Sequence, residues 1–195
     1  MEQNMQQPPV FNNSAIPAAP HVLPQMSFVE SIKTCFAKYK DFSGRARRSE
    51  FWWFILCYWL TSTIVGQITN MGGLMVSFIA QGVVFVIFAL PCLAVQVRRL
   101  HDTNHSSLLA WLFFIVYTAM MVVSCQLISI IGEFIDGAGT NTALPERVVT
   151  ENMSLFGITG ILGLLFCVVG LILLIFSAKD SDAGTNTYGP SPKYQ

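Results

Sequence analysis

The residues best able to do chemistry lie between residues 98 and 107, directly after a long apolar run. Arg98 and Asp102 are four positions apart, and His101 and His105 have the same spacing, so each pair would share a face if this stretch were helical. The first spacing suits an ion pair, and the second suits two ligands of a zinc ion. The sequence therefore offers an ion-paired turn, a metal site or an acid–base pair at this position.

The metal and enzyme interpretations lack necessary partners in the sequence. A catalytic zinc needs a third ligand, and no other Cys or His has a spacing that completes a known site. A Ser-His-Asp arrangement using Ser106 or Ser107 would need a nucleophile elbow and an oxyanion hole, for which there is no signature. Neither GxxxxGK[ST] nor GxGxxG occurs, so no phosphate-binding loop is predicted. We therefore expect a hydrogen-bonded structural turn, with no catalytic residue, no metal and no cofactor.

The composition places this turn in a membrane protein. The chain has 195 residues, of which 53% are apolar and only 11% are charged, whereas about a quarter of the residues in soluble proteins are charged. The formal net charge is zero, which argues against a broadly cationic surface for nucleic acid. The five cysteines are scattered without a CxxC pair, a pattern typical of small buried residues rather than of a disulfide framework.

Four apolar segments are long enough to cross a membrane. They cover about residues 51–68, 73–97, 108–131 and 155–177, and none contains Asp, Glu, Lys, Arg or His. At about 1.5 Å per residue, each can span a hydrocarbon core about 30 Å thick, the first only just. An amphipathic helix with a basic side is predicted ahead of them, over Phe28–Tyr39, in the headgroup layer. The predicted fold class is an all-α integral membrane protein with four transmembrane helices preceded by an amphipathic interfacial helix.

The polar segments at the two ends and between the spans complete the predicted organisation. Residues 1–25 are rich in Pro, Gln and Asn, which predicts a disordered N-terminal tail. The membrane domain is predicted over residues 26–192, and residues 193–195 form the C-terminal end. Gly132–Ser154 is predicted as an exposed, partly irregular acidic loop, and the residues after Lys179 as turns or an irregular segment.

Local patterns predict how the spans begin and pack. Ser49 is a candidate cap for the first span. Four amides in or near the spans are expected to bond between helices, because no ionisable residue accompanies them as it would in a pore; they are Gln67, Gln81, Gln96 and Gln126. The glycines of the fourth span recur along one side, which predicts close helix packing there. Those glycines are Gly157, Gly160, Gly163 and Gly170.

The distribution of basic residues predicts the orientation. Every Lys and Arg except Arg147 falls on the same side of the four spans. Cytoplasmic segments of membrane proteins carry the excess of Lys and Arg. Both termini and the polar turn after Arg98 are therefore predicted to lie in the cytoplasm.

Three separated motifs give the chain a resemblance to a known family. They are GRARRSEFW from Gly44, the RRLHDT run from Arg98 with Leu90 and Pro91 before it, and GTNTYGP from Gly184. In this order they resemble domain-of-unknown-function family 805 (DUF805), over about Phe28–Pro192. The resemblance implies a bundle of about four transmembrane helices in the bacterial inner membrane, and it implies no established activity, substrate or cofactor.

The chain departs from the family pattern directly after the RRLHDT run. Asn104 stands where the family has a glycine-bearing turn, and Asn tolerates a positive φ, so the turn is expected to survive. Ser107 stands where the family has a second glycine, which argues against an anion contact made by the backbone there.

The predicted topology brings the three motifs to one surface, where they would form a structural or lipid-facing cytoplasmic cap. Arginines at a membrane boundary suit lipid phosphates as well as carboxylates. The predicted members of the cap are Arg45, Arg48, Glu50, Arg98, Arg99, His101, Asp102, Tyr188, Gly189 and Pro190.

The leading functional interpretation is a non-enzymatic bacterial inner-membrane protein whose basic cap contacts anionic lipid or a protein partner, either a second copy or another membrane protein. The alternative is a small oligomeric transporter or channel, motivated by Pro91 and the glycine-rich fourth span. The absence of ionisable residues from the spans weighs against ion coupling. A membrane enzyme using His101 and Asp102 as acid and base is the third interpretation.

Overall fold

The computed structural model describes residues 22–137 and 150–194. Within these ranges the chain is helical, and four of the helices are long and apolar enough to cross a membrane. The helices are α1 (Phe28–Ala37), α2 (Arg48–Thr69), α3 (Leu74–Asp102), α4 (Leu108–Gly137) and α5 (Met153–Ala178), with a short 3-10 helix (Asn70–Gly72) between α2 and α3. The predicted all-α membrane fold is confirmed.

All four spanning helices are longer than the apolar pattern predicted, and two of them, α3 and α4, end five or six residues beyond the predicted limit. α3 continues past Val97 to Asp102, because the polar residues that follow Val97 are buried and have partners. α4 continues past Ile131 to Gly137, so the prediction of a loop starting at Gly132 is wrong for that part. The helical apolar spacing persists there in the sequence, at positions three and four after Ile131. Residues 138–149, the centre of the predicted loop, lie outside the described residues.

α1 is the predicted amphipathic helix, and it is fixed by its own cap and by aromatic packing. The Ser27 hydroxyl accepts a hydrogen bond from the Glu30 amide at 3.3 Å, and the Glu30 carboxylate accepts one from the Ser27 amide at 3.5 Å, which completes a capping box. The ring of Phe36 packs edge-on against Phe54 of α2 and Phe88 of α3, with centroids 5.4 and 5.6 Å away. α1 is therefore docked on the first two spans.

Two of the predicted interhelical amides are found. The Gln81 amide of α3 donates to the Ser62 carbonyl of α2 at 2.8 Å and accepts from the Ser62 hydroxyl at 2.7 Å. The Gln96 amide of α3 donates to the Ser177 hydroxyl of α5 at 3.0 Å. Such bonds hold helices together where no water competes. The prediction is confirmed for these two residues, whereas Gln67 and Gln126 are exposed and make no bond to another helix within the described chain.

The glycines of α5 behave differently from one another. At Gly170 an added Cβ would lie 3.1 Å from the ring of Phe113, so this glycine permits close approach of α4. At Gly157, Gly160 and Gly163 no atom lies within 4 Å of such a Cβ. The prediction of close helix packing is therefore confirmed at Gly170 and wrong at the other three positions within the described chain.

The first described residues are hydrogen-bonded to the last ones. The Leu23 amide donates to the Lys193 carbonyl at 3.0 Å. The Arg47 guanidinium, just before α2, donates to the carbonyls of Leu23 at 3.0 Å and Pro24 at 2.6 Å. Leu23 and Pro24, which the composition placed in the disordered tail, are therefore hydrogen-bonded to the rest of the chain. The remainder of the predicted tail, residues 1–21, lies outside the described residues.

Candidate functional site

Asp102, the last residue of α3, is the centre of a buried cluster of polar side chains. Its Oδ1 accepts from Arg45 Nε at 2.9 Å, and its Oδ2 accepts from Arg99 Nη1 and from the Ser181 hydroxyl. The side chains of Arg45, Arg99 and Asp102 are at most 1% exposed. We call these four residues the Asp102 cluster. One carboxylate faces two guanidinium groups, so the cluster needs further acceptors.

Arg45 finds those acceptors in two segments of the chain, the end of α3 and the residues that follow α5. Its Nη1 donates to the carbonyls of Gly184 at 2.8 Å and Gly189 at 3.2 Å, and its Nη2 donates to those of Asp102 at 3.2 Å and Asp182 at 2.6 Å. With the bond from Nε, all five donors of the guanidinium fork are used. Arg45 therefore joins the α1–α2 connection, the end of α3 and the C-terminal segment.

Arg99 plays the same part at the end of α5. Its Nε donates to the Ser177 carbonyl at 3.1 Å, its Nη2 donates to the Lys179 carbonyl, and its Nη1 reaches the Ala46 carbonyl at 3.4 Å. The last carbonyls of a helix have no partner within that helix, and a cation is favourable beside them. Arg99 thus holds the C-terminus of α5 against α3.

Glu50 and Arg98 form a second buried ion pair, here called the Glu50 pair. Arg98 Nη1 lies 2.7 Å from Glu50 Oε1, and the side chains are 2% and 6% exposed. The Cys35 thiol of α1 donates to the same carboxylate oxygen at 3.8 Å. The pairing of Arg98 with Asp102 suggested by their spacing is wrong, because α2 supplies Arg98 with a closer carboxylate and Asp102 is occupied by the Asp102 cluster.

His101 connects the end of α3 to the C-terminal motif. Its ring stacks on Tyr188 with centroids 3.8 Å apart and planes 4° apart, and its Nδ1 donates to the Gly44 carbonyl at 3.3 Å. The Asn186 amide donates to the His101 carbonyl at 2.8 Å. Asn186 and Gly189 exchange two backbone hydrogen bonds of 3.1 Å, and Gly189 has a φ of +125°, which favours glycine.

The turn after α3 forms as predicted but does not bring the two histidines together. Asn104 has a φ of +56°, so it replaces glycine in the left-handed region. The His105 ring lies 4.1 Å from the ring of Phe176, on another side of the turn from Tyr188. In residues 22–137 and 150–194, no group of three or more His, Cys, Asp or Glu side chains is placed to hold a metal ion.

The structure thus gathers most of the predicted cap at one end of the bundle. Arg45, Arg99, His101, Asp102, Tyr188 and Gly189 lie in or against the Asp102 cluster, and Glu50 and Arg98 form the pair beside it. Arg48 and Pro190 are exposed and outside both. Sequence reasoning missed Ser181 and Cys35, because nothing local marks either residue as a partner of a distant carboxylate.

Arg48 instead lines an open cleft of about 410 Å³ at the start of α2, here called the Arg48 cleft. Its other lining residues are Gln25, Arg47, Ser49, Trp52, Trp53, Asp180, Ser181 and Lys193. The prediction that Ser49 caps this helix is wrong: the N-cap is Arg47, without a side-chain cap bond. Ser49 is the second residue of the helix, two positions after the N-cap, and its hydroxyl has no partner in the described chain.

Comparison with known proteins agrees with this architecture. The chain matches the family described as "Protein of unknown function (DUF805)" over residues 39–190, so α1 precedes the matched region. It is 39% identical over 85 residues to Inner membrane protein YhaI of Escherichia coli K12, covering 44% of this chain and 71% of the relative. It is 39% identical over 95 residues to Inner membrane protein YhaH of the same strain, covering 45% and 78%. No solved structure matches at a significant level.

The family match covers most of the chain and includes all three motifs on which the resemblance rested. Both relatives are named as inner membrane proteins, and four helices of this chain are long and apolar enough to span a membrane. The chain therefore belongs to the DUF805 family of integral membrane proteins.

Proposed function

We propose that this is a non-enzymatic bacterial inner-membrane protein whose polar end faces the cytoplasm and binds anionic lipid headgroups. The observation that carries the proposal is the division of its cations into two sets. The arginines of the Asp102 cluster and the Glu50 pair are buried and bonded to protein. A second set is exposed and, within the described chain, has no ion pair. That set is Lys33, Lys38, Lys40, Arg48 and Lys179.

The exposed set is suited to a negatively charged membrane surface. Each Lys or Arg held near anionic lipid contributes about 1 kcal/mol of attraction, which decays within a Debye length. The buried set cannot serve this purpose without leaving its partners. Of the predicted cap residues, Arg48 is therefore the one we assign to lipid, and the buried members are assigned to holding the polar end together.

The enzymatic interpretation gains no support from the geometry. Asp102 is fully buried and engaged by two arginines, and His101 is stacked against Tyr188. An acid–base pair must reach a reacting group directly or through one water. We assign both residues a structural role.

The structural feature that a transporter would use is a partly open cavity of about 220 Å³ lined by residues of α2, α3, α4 and α5. Its lining is mostly aromatic and aliphatic, with Tyr58, Gln96 and Tyr117 among its few polar residues. Such a lining offers an ion few ligands to replace its water. Solute flux through proteoliposomes containing the purified protein would favour this alternative over ours.

The test of the proposed function compares lipids of different charge. Thermal unfolding of the purified chain in nanodiscs should occur at a higher temperature in phosphatidylglycerol than in phosphatidylcholine. A Lys33→Gln/Lys38→Gln/Lys40→Gln variant should lose much of that difference, because it removes three of the exposed cations. Equal unfolding temperatures in the two lipids for the unsubstituted chain would refute the proposal.

A further inference from the structure

We infer that the Arg48 cleft binds the phosphate group of an anionic phospholipid, with Arg48 and Lys193 as its cationic contacts. This inference rests on the proposed lipid-binding function and assigns it to one place. At about 410 Å³, the cleft falls within the roughly 300–1,000 Å³ typical of small-molecule sites. Its lining carries three cations, Arg47, Arg48 and Lys193, and one carboxylate, Asp180.

Two polar groups in the cleft wall lack partners in the described part of the chain. The Arg48 guanidinium is exposed and makes no hydrogen bond or ion pair there, whereas Arg45, Arg47, Arg98 and Arg99 all do. The Ser49 hydroxyl is buried and also unpaired. A guanidinium fork and a hydroxyl are donors that suit phosphate oxygens. The Arg48 guanidinium is therefore available to a ligand in the cleft, and the unpaired Ser49 hydroxyl belongs to the same lining.

The aromatic side of the cleft indicates that the phosphate belongs to a lipid. Trp52 and Trp53, each 39% exposed, line the cleft in the first turns of the spanning helix α2. Tryptophan at the end of a transmembrane helix lies at headgroup level, with its apolar ring toward the hydrocarbon. Trp53 is held in place by an edge-on contact with Phe28 of α1, with centroids 5.7 Å apart. A phosphate between these rings and Arg48 is at the depth of a lipid headgroup.

Lys193 is the second cation, and Asp180 competes with the phosphate for it. Lys193 Nζ lies 2.6 Å from Asp180 Oδ2, and the Asp180 side chain is 56% exposed. The backbone of Lys193 is held separately, through its carbonyl and the Leu23 amide at 3.0 Å. Lys193 therefore stays at the cleft when its ammonium group exchanges a carboxylate for a phosphate.

The experiment measures binding of short-chain lipids to the full chain in neutral detergent micelles by calorimetric titration. The probes are dihexanoyl phosphatidylglycerol, dihexanoyl phosphatidylcholine and inorganic phosphate. The variants are Arg48→Gln and Asp180→Asn, with Arg147→Gln as a control that removes the one positive charge predicted on the opposite side of the spans. Circular dichroism and thermal unfolding establish that each variant is folded.

We expect phosphatidylglycerol to bind more tightly than phosphatidylcholine and inorganic phosphate. Arg48→Gln should weaken this binding about tenfold, as expected for the loss of a charge-assisted contact. Arg147→Gln should leave it within about twofold, because a charge on the opposite side of the spans acts only at a distance. Asp180→Asn should tighten it, because the competing carboxylate is gone. If Arg48→Gln does not fold, the effect of Asp180→Asn on lipid affinity still tests whether the lipid binds in the Arg48 cleft.

The remaining outcomes separate the inference from the proposed function. If the unsubstituted chain does not prefer phosphatidylglycerol, both fail. If it does, but Arg48→Gln binds the lipid as Arg147→Gln does, or Asp180→Asn does not tighten binding, only the cleft assignment fails. If inorganic phosphate binds as tightly as the lipid, the cleft is a site for a soluble anion and the lipid assignment is overturned.

Discussion

At the scale of single residues, Asp102 has the largest role in the polar end. Its carboxylate is the acceptor shared by Arg45, Arg99 and Ser181. A buried ion pair contributes little net stability compared with apolar packing, but removing one partner leaves an uncompensated buried charge. The stabilising role of Asp102 is therefore measured by the loss of stability when its removal leaves the two arginines buried without a carboxylate.

Asp102→Ala should lower the free energy of unfolding by about 3–5 kcal/mol, because Arg45 and Arg99 lose the carboxylate that they share while remaining buried. Reversible unfolding in mixed detergent and SDS micelles measures this loss. Asp182→Ala is the matched control, since Asp182 bonds Arg45 through its backbone carbonyl and its side chain is exposed. A similar loss for both variants would contradict the assignment.

The exposed pair of Asp180 and Lys193 should respond to pH. The hydrogen bond from Lys193 lowers the pKa of Asp180 below its usual 3.8, and the same bond raises the pKa of Lys193 above its usual 10.5. Between pH 3.8 and pH 10.5 both side chains are charged, and the pair makes its full contribution to holding the C-terminal segment. It is lost as the pH falls through the lowered pKa of Asp180 or rises through the raised pKa of Lys193.

A spin label at position 194, in a background without the native cysteines, should therefore gain mobility below about pH 4. The size of the effect is small because the pair is exposed and screened. In Lys193→Gln the label should show no acid transition of this kind. An identical transition in that variant would show that another group is responsible.

At the scale of elements, α3 shows what sequence can and cannot predict. A transmembrane helix satisfies its own backbone, so apolar composition and length were enough to locate the four spans. The apolar pattern stops at Val97, so it does not show that α3 continues to Asp102. The groups that bury Arg98 and Asp102 there, Glu50 and Arg45, lie 48 and 57 positions away in the sequence. No local sequence pattern shows such pairings. The sequence suggests only that the three motifs meet, because it predicts all of them on the same side of the membrane.

The C-terminal segment depends on Arg45 for its attachment. Arg45→Lys keeps the charge but replaces a five-donor fork by a single ammonium group, which cannot bond Gly184, Asp182 and Asp102 together. Residues 182–189 should exchange amide hydrogen faster in this variant, by about tenfold or more if one to two such bonds are lost. Arg48→Lys, at an exposed position without partners, should leave that exchange unchanged.

The two kinds of glycine in α5 predict opposite tolerance to a larger side chain. Gly170→Leu should destabilise the bundle by about 1–3 kcal/mol, because even the Cβ would crowd the Phe113 ring. Gly160→Leu should be tolerated or stabilising for the isolated chain, because nothing lies near that position and Leu favours helix. Unfolding of both variants in detergent tests this. A large loss at Gly160 would instead indicate that another molecule packs there.

At the scale of the whole molecule, charge placement predicts one orientation. The positive-inside rule predicts that the C-terminus lies in the cytoplasm. A fluorescent protein fused after Tyr194 should therefore fluoresce, and alkaline phosphatase fused there should be inactive. A cysteine at position 147, in the cysteine-free background, should react with a membrane-impermeant reagent added from outside. Phosphatase activity at the C-terminus would reverse the assignment and would remove the cytoplasmic lipids from our proposal.

The pairing of the two ends of the described chain has a practical consequence for anything attached to it. Val22 forms an antiparallel bridge with Tyr194, and the neighbouring Gln25 and Lys193 both line the Arg48 cleft. Polypeptide that precedes Val22 and polypeptide that follows Tyr194 therefore depart from the same point, at the rim of the cleft. A bulky tag fused directly after Tyr194 is attached at that rim and competes with lipid for access, so a short cleavable tag is needed there when binding to the cleft is measured.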